Sequence, residues 1–286
     1  MTDLSSGKDH TGENFPVASH LIAPQHRGPI MAFYRVARMA DDVADHPTAS
    51  PKEKLARLAA IEASLTGAAE SVPEAVALRV ALAERHLGWE HMLDLLEAFR
   101  RDVTKTRYAT WDELMDYCRY SAAPVGRFVL DVHGESRDRW PASDALCAAL
   151  QVINHLQDCA KDYREIDRVY LPAETLAQFG ATLEMLEAPR GEPSIMAAIH
   201  ALAAKTERLL ATSRPFAGQV TDLRLALEIG AIQRLAESLT RRLLSRDPLA
   251  GGVHHGRLQA LGVGLLGVGR TFGERLGARQ ARRAGP

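Results

Sequence analysis

The sequence predicts an all-α fold, a bundle of eight or more helices forming one domain over residues 1–286. Three observations predict it. Apolar residues recur at helical spacing along most of the chain, and no stretch alternates with the period of two that a strand needs. Pro and Gly fall at the ends of periodic segments, where helices start and stop.

Residues 1–14 are polar and read as loosely ordered. Pro29, after Gly28, is placed to open a helix through Ile30, Phe33, Val36, Ala37, Ala40 and Ala44, which Pro47 ends. Residues 51–66 form an amphipathic helix, and 73–100 a charge-dotted helical stretch that Asp102 follows. Trp111 to Val132 is helical, with a kink or break at Pro124 and Gly126. Residues 142–166 make one long apolar helix, left by Arg168 to Pro172. Pro189, Gly191 and Pro193 mark a loop, helices over 194–213 and 217–246 follow, and about 248–286 read as a peripheral, loosely helical tail.

Composition narrows the function. Apolar residues make up 46% of the chain, enough for a sizeable core, and 35 Lys and Arg against 36 Asp and Glu leave a formal charge of −1. That balance gives no support for nucleic-acid binding, which needs a basic face. Cys118, Cys147 and Cys159 lack metal-ligand spacing and read as reduced core thiols, which with the absence of a signal-peptide pattern implies a cytoplasmic protein. No apolar run is long enough to span a membrane.

Two acidic clusters carry the chemistry. In Asp41-Asp42-Val43-Ala44-Asp45 and Asp158-Cys159-Ala160-Lys161-Asp162 the outer aspartates are four apart, so on a helix they share a face. Tyr34, Arg38, Asp41 and Asp45 form one stripe; Gln151, Asn154, Asp158 and Asp162 form another. Isolated, such a cluster is most often a solvated helix face. Set in apolar helices, crowded carboxylates repel and call for cations. Magnesium fits, being a hard ion shared between one or two carboxylates and substrate phosphates. Lys161, Arg164 and Arg168 are candidates to neutralise remaining phosphate charge, although pairing with their own helix is the plainer role for Arg164. A di-iron bundle site needs Glu-x-x-His pairs, and the chain has none.

With these stripes in place, the sequence resembles the squalene/phytoene synthase family. Tyr34 to Asp45 matches YxxxRxxDDxxD, Gln151 to Asp162 matches QxxNxxxDxxxD, and Arg168-Val169-Tyr170-Leu171-Pro172 follows as in the family. Tyr117 to Gly126 is similar to the family's YCxxxAxxVG helix. The resemblance implies a class I isoprenoid synthase-like bundle with a central cavity. It implies a magnesium cluster on Asp41, Asp45, Asn154, Asp158 and Asp162, with Asp42 contributing. Tyr34, Arg38 and Arg168 would bind diphosphate, with Gln151 and Tyr170 beside them, and Phe15, Ser121, Ala122 and Gly126 would form the isoprenoid wall.

Within the family, Glu13 to Ser19, Arg101 to Tyr108 and the second motif look most like members of the hopanoid pathway that turn presqualene diphosphate into hydroxysqualene. These ionise the diphosphate, rearrange the cation and trap it with water. Three departures separate the chain from condensing relatives: Lys161 for a common Glu, Asp167 for the usual Gly, and Glu13-Asn14 for a Lys-Ser pair. The alternatives are a head-to-head squalene or phytoene synthase, and a non-catalytic prenyl-lipid-binding or assembly protein, whose kind usually loses the aspartates. The implied partners are presqualene diphosphate and the synthase that makes it. NADPH is not expected: Gly262-Val263-Gly264-Leu265-Leu266-Gly267 spells GxGxxG but lacks a βαβ frame. The arginine-rich tail around it reads first as a solubilising extension, and second as a peripheral contact with anionic lipid on the inner membrane face.

Overall fold

The computed structural model describes residues 21–283. Its elements are α1 (Pro24–Ala44), α2 (Pro51–Thr66), α3 (Pro73–Ala83), α4 (Glu90–Thr104), α5 (Trp111–Ser121), α6 (Ala123–Val132), α7 (Trp140–Gln157), α8 (Cys159–Ile166), α9 (Ala173–Gln178), α10 (Pro193–Ser213), α11 (Phe216–Gln219), α12 (Leu223–Leu243) and α13 (Arg257–Arg283), with short 3-10 turns between some of them. The all-α reading holds: a lone bridge between Arg107 and Val169 is the only β-type pairing among the described residues.

Local chemistry explains where the boundaries agree with the sequence and where they shift. The helix expected over 51–66 is α2: Ser50 Oγ accepts from Glu53 N–H at 3.3 Å while the Glu53 carboxylate accepts from Ser50 N–H at 2.9 Å. Gly67, left-handed at φ 86, closes it. By contrast α1 opens at Pro24, and Pro29 lies inside it. Pro29 has no N–H to offer the carbonyl of Gln25 four residues back; Arg85 donates to that oxygen instead, so the helix tolerates the proline.

Three expected single helices are divided. The 73–100 stretch breaks after Ala83, where His86 takes a left-handed φ of 55, and Asp102 sits in the last turn of α4 instead of beyond it. The 142–166 helix changes direction at Asp158 (φ −102, ψ 7), and 217–246 becomes α11 and α12 around Asp222, whose side chain accepts from Leu225 N–H at 2.8 Å. The break expected at Pro124 falls at Ala122, with Pro124 in the first turn of α6.

The tail is an ordered helix. α13 lies along α12, with Thr271 buried and Arg275 Nη1 donating to the carbonyls of Ala217 (3.2 Å) and Val220 (2.8 Å). The GxGxxG belongs to this packing: a Cβ on Gly267 would overlap the carbonyl oxygen of Gly230 and sit 2.9 Å from Ala231 Cα. Gly267→Val is therefore expected to push α13 off α12. Limited proteolysis should then cut within 257–283 at least about tenfold faster, since local opening would cost less free energy.

Buried side chains form two cores. One gathers α1–α4 and part of α6 around Phe33, Leu58, Leu78 and Leu96; the other gathers α5, α7 and α9–α12 around Leu146, Ile153, Ile199 and Leu239. Between them runs a cavity of about 320 Å³, with Ile30, Phe33 and Phe128 on one wall and Leu146, Phe216, Leu225 and Ile229 on the other. All three cysteines are free, and Cys147 lines that cavity. No helix among the described residues is long and apolar enough to cross a membrane.

Candidate active site

The two acidic clusters meet in space. On α1, Arg38 holds Asp41 (Nη1 to Oδ2, 3.1 Å) and Asp42 (Nη2 to Oδ1, 2.6 Å), the i+3 and i+4 neighbours of one helix face. On the second side, α7 ends at Asp158 and α8 carries Asp162 one turn on. The chain then reverses at Asp167, a non-glycine residue at φ 49 whose carbonyl and carboxylate are both held by Arg107. A left-handed backbone costs an L-residue about 1–2 kcal/mol, and this guanidinium clamp offsets it. The reversal brings Arg168 back toward α1, Nη1 standing 2.9 Å from Asp45 Oδ1.

Crowding shows in the carboxylates. Burial, and then the charge of Asp45, push Asp41 up to about 7 although Arg38 opposes them. Burial and Asp158 push Asp162 to about 7 against the pull of Arg168, and Asp45, across the gap on α1, adds to the shift. The donors are hard carboxylate and amide oxygens, the set magnesium prefers. Among the described residues no three His, Cys, Asp or Glu side chains converge tightly enough to hold a metal alone. The carboxylates instead come in pairs, which suits an ion whose remaining ligands are water and phosphate oxygens.

This arrangement sets a pH dependence. Asp41 and Asp162 titrate near 7 when folded and near 3.8 ordinarily. The fold therefore binds more protons than the unfolded chain between these values, and stability falls as pH rises through that window, levelling above it. Without metal the protein is expected to melt a few degrees lower at pH 8 than at pH 5.5, and magnesium should raise the melting temperature more at pH 8. A melting temperature that climbs from pH 5.5 to 8 without metal would contradict the crowding.

Behind the clusters lies a buried network in which Arg168 and Tyr170 join Asp102, Tyr117 and His155, three residues that sequence reasoning left out of the site. Asp102 accepts from Tyr117 OH at 2.8 Å and from Tyr170 OH at 3.3 Å. Its backbone carbonyl accepts from Arg168 Nη2 at 3.0 Å. His155 stacks on Tyr170 with ring centroids 3.4 Å apart, and burial followed by Arg168 lowers its imidazole to about 3, so it is neutral. These groups fix the Arg168 guanidinium. Asp102 and Tyr117 fall in the segments Arg101 to Tyr108 and Tyr117 to Gly126 that the sequence singles out, but nothing there gives either a role in the site; His155 reads as an ordinary helix residue.

The remaining candidates fall unevenly. Tyr34 and Asn154 line the cavity, joining it to the acidic end, and Gly126 lines it further in. A Cβ at Gly126 would stand 2.4 Å from Ser143 Oγ and 2.6 Å from Cys147 Sγ, so any larger residue would force these α7 side chains to shift. Ser121 and Ala122, expected on the wall, are not among the residues lining this cavity; they sit at the α5–α6 break. Gln151 contacts His155 at 3.2 Å instead of facing the cavity, and Tyr170 is held in the Asp102 network. Lys161, a candidate for phosphate charge, and Arg164, read first as pairing on its own helix, are exposed on α8, leaving Arg168 as the cation of that trio facing the carboxylates. Phe15, like Glu13-Asn14, lies outside the described residues.

Comparison with known proteins agrees with this geometry. The family model for squalene/phytoene synthase matches residues 8–260. A hydroxysqualene synthase of Zymomonas mobilis is 54% identical over 272 residues, covering 94% of this chain and 92% of its own. One from Rhodopseudomonas palustris is 54% identical over 253 residues, covering 88% and 87%. Among solved structures, squalene synthase HpnC from Alicyclobacillus acidocaldarius superposes with a TM-score of 0.69 at 33% identity, over 79% of this chain and 88% of that one. A ligand-bound dehydrosqualene synthase reaches 0.75 over 90% of each chain, a likeness of fold at 20% identity.

Proposed function

The chain belongs to the squalene/phytoene synthase family, and from that premise we propose that it converts presqualene diphosphate to hydroxysqualene. One observation carries the proposal: two facing carboxylate pairs, backed by a buried arginine, stand at the polar end of an apolar cavity. The relatives above 50% identity bear the name of that product.

Asp41, Asp45, Asn154, Asp158 and Asp162 would hold magnesium, with Asp42 tied to Arg38 and in a lesser role. When bound, magnesium neutralises charge developing on the departing diphosphate. Tyr34, Arg38 and Arg168 would take the other diphosphate oxygens, and Arg168 is already aimed by Asp45 and Asp102. The carbon–oxygen bond then breaks with its electron pair leaving on the diphosphate. The remaining cation rearranges between apolar walls such as Phe33, Phe128, Leu146 and Ile229, which shield it from premature water. Capture by one water, with loss of its proton, gives the alcohol. A presqualene-forming synthase is the partner that would supply the substrate.

The test is incubation of the purified chain and magnesium with presqualene diphosphate or with farnesyl diphosphate, read by mass spectrometry. Hydroxysqualene from presqualene diphosphate is the expected outcome. Consumption of farnesyl diphosphate with presqualene diphosphate untouched would instead favour a condensing synthase.

A further inference from the structure

The C-terminal helix is apolar on the side that faces away from the protein. Gly267, Thr271 and Arg275 pack on α12 and the segment before it. Leu258, Leu261, Leu265, Phe272 and Leu276 fall at helical spacing on the opposite face, with Leu266 beside them, and all are exposed, Leu258 at 87% and Leu265 at 60%. Of the large apolar side chains exposed among the described residues, these six outnumber the rest, which are Val80, Trp89 and Val125. A soluble monomer rarely leaves so continuous an apolar strip uncovered.

Charge says what covers it. Residues 257–283 carry six arginines against one glutamate, a net charge of +5, while the whole chain is −1, so the remainder carries −6. Glu274 is engaged locally by Arg270 at 2.8 Å. A second copy seated here would set two strongly cationic helices against each other, at an electrostatic cost. An anionic surface accepts both the leucines and the arginines. No helix among the described residues has the length and apolarity to cross a bilayer, so this one would lie on it. We propose that the outer face of α13 docks the protein on an anionic lipid bilayer, with the leucine and phenylalanine side chains at the headgroup–acyl boundary and the arginines among the headgroups.

The surface is distinct from the carboxylate site, and its test does not depend on the reaction assigned there. The full chain is sedimented with vesicles of phosphatidylcholine alone, or of phosphatidylcholine with about one third phosphatidylglycerol. Binding to the anionic vesicles is expected to be about tenfold stronger, and to weaken by a similar factor in about 0.5 M salt. Leu261→Gln with Leu265→Gln and Phe272→Gln, all on the exposed face, should cut that binding about tenfold or more. The triple variant should keep its melting temperature and its turnover of detergent-dispersed substrate. Equal binding to both vesicle types, or a triple variant that binds like the parent, would overturn the proposal. A dimer that the triple variant converts to monomer would overturn it too, assigning the strip to a second copy.

Discussion

Asp41→Asn combined with Asp158→Asn is expected to lower turnover of presqualene diphosphate by about a thousandfold or more while leaving the helical circular-dichroism signal intact. Each change keeps size and hydrogen-bonding shape but removes one anionic ligand from each side of the site. Losing metal-assisted stabilisation of the leaving group removes several kcal/mol from the transition state, and about 4 kcal/mol is a thousandfold. The stability readout separates this from structural damage. Asp41 is held near 7 by burial and by Asp45, so its ionised form opposes folding at pH 8. The double variant should therefore melt at the same temperature as the parent or higher in metal-free buffer at pH 8. Unchanged turnover would refute the metal assignment; lost turnover with a large fall in melting temperature would point to a structural role.

How far the sequence reaches is visible in particular residues. Ser50, Pro51, Glu53 and Gly67 set both ends of α2 because capping is a matter of neighbours a few residues apart. The acidic stripes were legible for the same reason: spacing of three and four places Arg38, Asp41 and Asp42 together before any tertiary contact exists. Pro29 misled because the compensation for it, Arg85 on the Gln25 carbonyl, comes from 60 residues away. Ser121 and Ala122 were placed on the cavity wall by motif alone, and the helix break at Ala122 is a backbone feature that the motif does not encode. Asp102, Tyr117 and His155 escaped because each acts through a partner remote in sequence, Tyr170 or Arg168. The packing of the tail helix on α12 was not legible because its glycines lower helix propensity, whereas Gly267 serves close approach to Gly230.

The second large effect concerns Arg168, for which we propose a role in both stability and substrate binding, and a pair of variants should separate the two. Its guanidinium is buried, with Asp45 at 2.9 Å on one side and the Asp102 carboxylate at 3.9 Å on the other. Burial, joined by the charge of Asp45, drives Asp102 up, and even with Arg168 and two tyrosine hydroxyls opposing, its carboxyl stands at about 6. Arg168→Met leaves that carboxylate buried without its cation, a loss that costs roughly 3–5 kcal/mol when one partner of a buried pair is removed. Protonation of Asp102 provides a partial escape. Because removing the cation raises its pKa further, the penalty should be smaller at pH 5.5 than at pH 8. Adding Asp102→Asn removes the stranded charge and keeps an acceptor for the tyrosines, so chemical denaturation at pH 8 should show at least about 1–2 kcal/mol recovered relative to Arg168→Met. Turnover should not recover with it: both variants are expected to remain about a hundredfold or more below the parent, since a diphosphate-binding cation is missing from each. If stability and turnover return together, Arg168 is a structural residue. If stability fails to return, Asp102 does not depend on Arg168 for its charge, and the picture of a carboxylate-anchored guanidinium facing the diphosphate site is wrong.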